Sequence, residues 1–143
     1  VHKVEAEQGA IRMFSRIGMR RPMYCTGVGK AMMACMTDEQ VNRIWESSDI
    51  QPYTSHTITT RERLQAVLDA IRQRGCAFDN EENELGVRCI AAAIRDYTGN
   101  VCGALSISAP LIRMSDSYLL QLKRPLLETR DRIAHEMGWI SEQ

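Results

Sequence analysis

Two stretches of this 143-residue chain carry residue types that can hold a small anion. The first is CTGVGKAM, residues 25–32. It resembles a nucleotide loop but fails the chemistry of one. A Walker loop needs an early glycine and a Ser or Thr after the lysine; Tyr24 and Ala31 stand there, so the magnesium-binding hydroxyl is missing. A dinucleotide loop needs a third glycine within a βαβ unit, and Met32 occupies that place. What remains is a glycine-rich entry to a helix, whose free backbone N–H groups suit a carboxylate without a metal. Gly27 and Gly29 permit close approach to a ligand. The plain alternative is a tight loop-to-helix junction with Lys30 in solvent.

The second stretch runs from AFDNEE through GVRCIAAAI to ALSISAP. Ser106 and Ser108 alternate with Leu105, Ile107 and Ala109, so both hydroxyls leave one face of a strand. Such a pair can grip a carboxylate or a polyol, or be solvated on an exposed face. Cys89 sits in an apolar strand, as a buried inert thiol or a weak donor to a ligand. Asp79 either caps the turn before EENE or accepts hydrogen bonds from ligand hydroxyls. Glu81, Glu82 and Glu84 read as a solvated face without a role, and Met33 and Met36 as core or as an apolar pocket wall. Cys89, His56 and Asp79 are the residue types of a cysteine hydrolase, but nothing in the sequence brings them into contact.

The five cysteines are odd in number and contain no C-x-x-C pair, which argues against a disulfide framework and a zinc site. The three histidines are far apart, so no metal or cofactor is expected. Lys plus Arg and Asp plus Glu number 18 each. A neutral domain has no excess field to draw in nucleic acid, so direct DNA binding by this stretch is not expected. No apolar run approaches a membrane span, and a cytoplasmic protein with reduced thiols is the expectation.

Several elements must position these residues. Val1–Glu5 and Ile11–Ile17 suggest an opening hairpin. A helix follows over about Gly27–Met36. Thr37 and Thr60 cap two more, the second with a stripe of Leu64, Val67, Leu68 and Ile71 and a stop at Gly75. CAFD is a short strand, and VRCIAAAIRD and VCGALSIS form a hairpin around YTGN. Ser115 caps a last helix with Leu119, Leu122, Leu126, Ile133 and Met137 on its inner face, and Pro125 is expected to kink or split it. This order predicts one α+β domain with a largely antiparallel sheet.

The ordered set G-x-G-K-A, D-x-E-E, G-V-R-C-I-A-A and S-I-S, with TSHTIT ahead of the long helix, resembles the effector-binding domain of the IclR (isocitrate lyase regulator) family of transcription factors. The likeness runs over nearly the whole chain. In its opening, HKVEAEQGAIRMFSRIG, it resembles the branch that responds to sugar acids and keto sugar acids such as ketodeoxygluconate. The resemblance implies a GAF-like fold, a curved antiparallel sheet flanked by helices, over residues 1–143. It implies a sensor rather than an enzyme, assembled as a dimer or tetramer, with DNA bound only through an N-terminal winged helix-turn-helix that this stretch lacks. A stand-alone GAF-type sensor is the alternative. The implied effector is a small carboxylic acid, with contacts carried onto Gly27, Val28, Asp79, Cys89, Ser106 and Ser108. Val28 departs from the small residue frequent there, which implies a narrower site. In AAAIRD the proline that often follows the alanine pair is absent.

Overall fold

In a computed structural model the described residues are residue 4 and residues 17–140. The expected opening hairpin therefore lies almost wholly outside them. In chain order the elements are α1 (Gly27–Met33), α2 (Asp38–Ser47), α3 (Arg61–Arg74), β1 (Ala77–Asn80), β2 (Val87–Arg95), β3 (Val101–Pro110), a short 3-10 turn (Leu111–Arg113) and α4 (Asp116–Glu136). The strands form an antiparallel sheet in the order β1-β2-β3. The α+β class with helices packed on this sheet is the expected one.

Local chemistry sets the helix ends. Thr37, Thr60 and Ser115 each accept an amide hydrogen bond from the first turn of α2, α3 and α4. Gly75 ends α3 in the left-handed region at φ 79°, as its position predicted. The loop of the β2–β3 hairpin closes with Asp96 N–H donating to Asn100 O at 3.0 Å.

Alternation along β2 divides the core in two. Cys89, Ala91 and Ala93 join Met33, Val41, Leu64, Leu68 and Ile71 on the face covered by α1 and α3. Ile90 and Ala92 join Leu119 and Leu126 of α4 on the opposite face. On β3, Leu105, Ile107 and Ala109 pack with the second group, which leaves Ser106 and Ser108 on the α1 face.

α4 differs from expectation at two points: it is not split at Pro125, and Met137 leaves the inner face. The helix passes through Pro125 unbroken. The carbonyl that loses its partner there belongs to Gln121, which like Pro125 is exposed, so water can serve it. Met137 stands at the exposed C-cap rather than on the inner face, and Ala134 takes the buried place.

Candidate functional site

The loop before α1 folds back tightly on the helix. Thr26 donates its hydroxyl to Pro22 O at 2.9 Å and accepts Gly29 N–H at 3.2 Å. A Cβ on Gly29 would lie 2.3 Å from the Met23 Cα, so only glycine fits. A Cβ on Gly27 would lie 2.9 Å from Cys89 Sγ, 3.3 Å from Ala91 Cβ and 3.7 Å from Asp79 Cβ. The start of α1 therefore rests directly on the middle of the sheet. The small residues Ala77, Cys89, Ala91 and Ala93 are what allow that approach.

Sheet register completes the arrangement. Asp79 pairs with Cys89 and Cys89 with Ser108, so the three form one transverse row across β1, β2 and β3. Ser106 stands opposite Ala91, one step along the same face. Side chains directly opposite on antiparallel strands sit about 4.5–5.5 Å apart at Cβ. Five of the six residues singled out in the sequence, Gly27, Asp79, Cys89, Ser106 and Ser108, thus come together. Val28 is half-buried at the rim of the core under α1. The ladder of α1 offers no acceptor to the amides of Gly27 and Val28. Ser106 is exposed and Ser108 half-buried, while Asp79 and Cys89 are buried.

Burial governs the electrostatics of the row. It pushes the Asp79 carboxyl up to about 6. The Glu82 and Asn83 amides pull against this shift, Glu82's charge adds to it and Lys30's opposes it. Glu82 N–H donates to Asp79 Oδ1 at 2.9 Å, so the turn-capping role read from the sequence is real. Burial also pushes the Cys89 thiol up to about 11, an effect the Ser108 and Ser106 hydroxyls partly offset. A thiol so protected stays protonated at neutral pH. His56 is exposed. The trio Cys89, His56 and Asp79 therefore lacks the activated nucleophile a hydrolase needs.

Lys30 and Glu82 correct the sequence reading. Lys30 does not face solvent; it is fully buried. Its Nζ donates to Glu82 Oε1 at 2.5 Å and to Phe78 O at 2.7 Å. Glu82 is buried as well, and among the described residues its Oε2 has no hydrogen-bond partner. Thr57 Oγ1 donates to Glu82 O and Thr54 Oγ1 to Glu81 O, each at 2.6 Å, so the TSHTIT segment clamps the β1–β2 loop. A signal for Lys30 did exist. It lies three residues after Gly27, hence on the same face of α1, and that face meets the sheet.

Among the described residues no group of His, Cys, Asp and Glu is placed to hold a metal ion, and no helix is long and apolar enough to cross a membrane. Two cavities of about 440 and 430 Å³ lie away from the row. The first lies against Asp131, Arg132, His135 and Glu136 of α4. The second lies between α1, α3, β2 and α4, beside Arg72, Arg95 and Arg130.

Comparison with known proteins gives concordant matches. The family described as "Bacterial transcriptional regulator IclR C-terminal" matches residues 1–135. The HTH-type transcriptional regulator KdgR of Escherichia coli (strain K12) is 39% identical over 139 residues, which cover 97% of this chain and 52% of that one. The crystal structure of the Thermotoga maritima IclR superposes with a TM-score of 0.89 at 33% identity, covering 95% of this chain and 55% of that one. A double mutant of the PobR transcription factor inducer-binding domain from Acinetobacter, in complex with 3-hydroxybenzoic acid, superposes with a TM-score of 0.79 at 27% identity, covering 94% of this chain and 75% of that one. The chain spans about half the length of the curated relatives it matches.

Proposed function

We propose that this chain, which belongs to the bacterial IclR family of transcriptional regulators through their C-terminal domain, binds a small carboxylic acid, a keto acid or sugar acid, and so modulates DNA binding by a longer protein. The observation that carries this reading is the transverse row Asp79–Cys89–Ser108, with Ser106 beside it and Gly27 resting on it. Four elements spend their small and polar residues on one spot, where a packed core would take larger apolar ones.

The row is chemically two-sided. Ser106, Ser108 and the Cys89 thiol are hydrogen-bond donors for a carboxylate, and the amides of Gly27 and Val28 can add to them. Asp79 is an acceptor for ligand hydroxyls. Occupancy of a PobR inducer-binding domain by 3-hydroxybenzoic acid, a carboxylic acid with one hydroxyl, is consistent with this pairing. DNA contact falls to an N-terminal winged helix-turn-helix in the longer protein, which agrees with the balanced charge of this chain. In this reading the whole protein is a cytoplasmic, non-enzymatic sensor. It assembles as a dimer or tetramer, and exposed apolar side chains such as Ile112 and Leu120 offer material for an interface.

Calorimetry with pyruvate and gluconate on the parent and on the Ser106→Ala/Ser108→Ala variant tests the site. Hydrogen bonds to a charged group contribute about 1.5–3 kcal/mol each, so the variant should bind at least about tenfold more weakly. Unchanged affinity in a folded double variant would place the acid elsewhere.

A further inference from the structure

Charge counting at the row leads beyond effector binding itself. Two carboxylates, Asp79 and Glu82, are buried side by side, joined by the Glu82 N–H to Asp79 Oδ1 bond. Among the described residues one cation is buried with them, Lys30, and its ammonium is engaged by Glu82 Oε1 and Phe78 O. Among the described residues no group donates to Glu82 Oε2. Among the described residues the titratable groups that face Asp79 are Lys30 from α1, Cys25 just ahead of α1, Glu82 from the β1–β2 loop and Cys89 from β2. Cys25 and Cys89 are protonated thiols at neutral pH, pushed by burial up to about 12 and about 11. Among the described residues β3 presents only the neutral Ser106 and Ser108, and Arg21, whose charge reaches Cys25, is exposed.

An anionic effector would add a third carboxylate to this surplus. Like charges gathered around buried carboxylates cannot all ionise, and the cheapest relief is a proton on one of them. Glu82 Oε1 is already engaged by the Lys30 Nζ at 2.5 Å, so the proton goes to Asp79. We propose that effector binding is coupled to proton uptake at Asp79, so that the site takes the acid and one proton together. This rests on the effector-site reading above and adds to it a direction for pH. The proton comes from solvent and bonds to an Asp79 carboxylate oxygen, converting that oxygen from acceptor to donor. The protonated oxygen of Asp79 then donates to the effector carboxylate, while the other oxygen, with two lone pairs, still accepts from the Glu82 amide and from a ligand hydroxyl. Burial has already brought Asp79 to about 6, so little further shift is needed for uptake near neutral pH.

The test is calorimetry of the chain with pyruvate or gluconate, both ionised at pH 7, in buffers of different ionisation enthalpy at fixed pH. The dependence of the observed heat on buffer enthalpy counts protons. Roughly one-half to one proton should enter per acid bound at pH 7, and affinity should weaken as pH rises, by up to about tenfold per pH unit. Carbon-13 NMR of the Asp79 carboxyl, with and without the acid, locates the proton without any substitution. Asp79→Asn, if it still binds, should do so with no net uptake. An acid that binds without buffer dependence overturns the inference and leaves the effector site standing. Uptake while the Asp79 resonance stays put also overturns it. If neither acid, nor any other in a panel of small keto and sugar acids, produces a heat, the effector-site reading fails and this inference with it.

Discussion

Lys30→Met is the most informative single change. The native lysine side chain is 1% exposed and Glu82's is 12% exposed. Methionine keeps most of the aliphatic volume but deletes the ammonium. Glu82 Oε1 loses its ion-pair partner, and Phe78 O loses its donor from Lys30. Removing one member of a buried ion pair typically costs about 3–5 kcal/mol, because the survivor is left as an uncompensated charge. With a urea dependence of about 2 kcal/mol per molar for a domain of this size, the unfolding midpoint should fall by roughly 1.5–2.5 M. Adding Glu82→Leu removes the stranded charge, leaving mainly the Phe78 carbonyl bond, about 1 kcal/mol. The double variant should therefore be more stable than the single one, and its folding keeps the test readable if the single variant fails to fold. Urea denaturation followed by circular dichroism checks both. A single-variant cost below about 1 kcal/mol, or a double variant less stable than the single, would refute the buried pair and restore the solvent-facing lysine.

Two further outcomes follow from the same geometry. Gly29→Ala drives a Cβ to 2.3 Å from the Met23 Cα, where backbone meets backbone, and should unfold the α1 junction; Gly27→Ala meets the Cys89 thiol at 2.9 Å and should cost less, as thermal denaturation of the two will tell. For Asp79, folding raises the carboxyl from 3.8 to about 6, so its contribution to stability is fully present below about pH 4 and is lost as pH rises through 6. The stability difference, parent minus Asp79→Asn, should fall by roughly 3 kcal/mol between about pH 4 and pH 7.5, and a difference independent of pH would contradict the burial of that charge.

What the sequence disclosed was mostly what short-range chemistry determines. The capping roles of Thr37, Thr60 and Ser115 each concern a hydroxyl and an amide three residues apart, and all three are found. The alternation in LSISA places Ser106 and Ser108 on one face without knowledge of the partner strand, and the register confirms which face it is. The spacing from Gly27 marks the face of Lys30, but its pairing with Glu82 spans 52 residues and depends on how closely α1 docks, so the partner was not legible. That Pro125 leaves α4 in one piece was hidden for a related reason. Its cost depends on whether the orphaned carbonyl of Gln121 meets solvent or core, and that is settled by which side of α4 faces the sheet. His56 and Cys89 illustrate the converse. Their types suggested chemistry, while burial of one and exposure of the other denied it.

The acidic loop after β1 follows physically from the glycine loop before α1. Gly29 lets residues 22–26 fold onto the helix, and Gly27 lets the helix rest on Cys89 and Ala91. A helix docked that closely carries its residue three places on, Lys30, into the protein rather than past its edge. A buried ammonium requires a carboxylate, and Glu82 meets it from the β1–β2 loop. To reach that position the loop turns sharply after Asn80, with Glu81 in the left-handed region at φ 60° and Asp79 accepting the Glu82 amide. Asp79 is thereby fixed, buried, and aligned with Cys89 and Ser108. Glu82, read from the sequence as part of a solvated face, is instead the counterpart of one glycine-permitted contact, and the row's polarity is set by it.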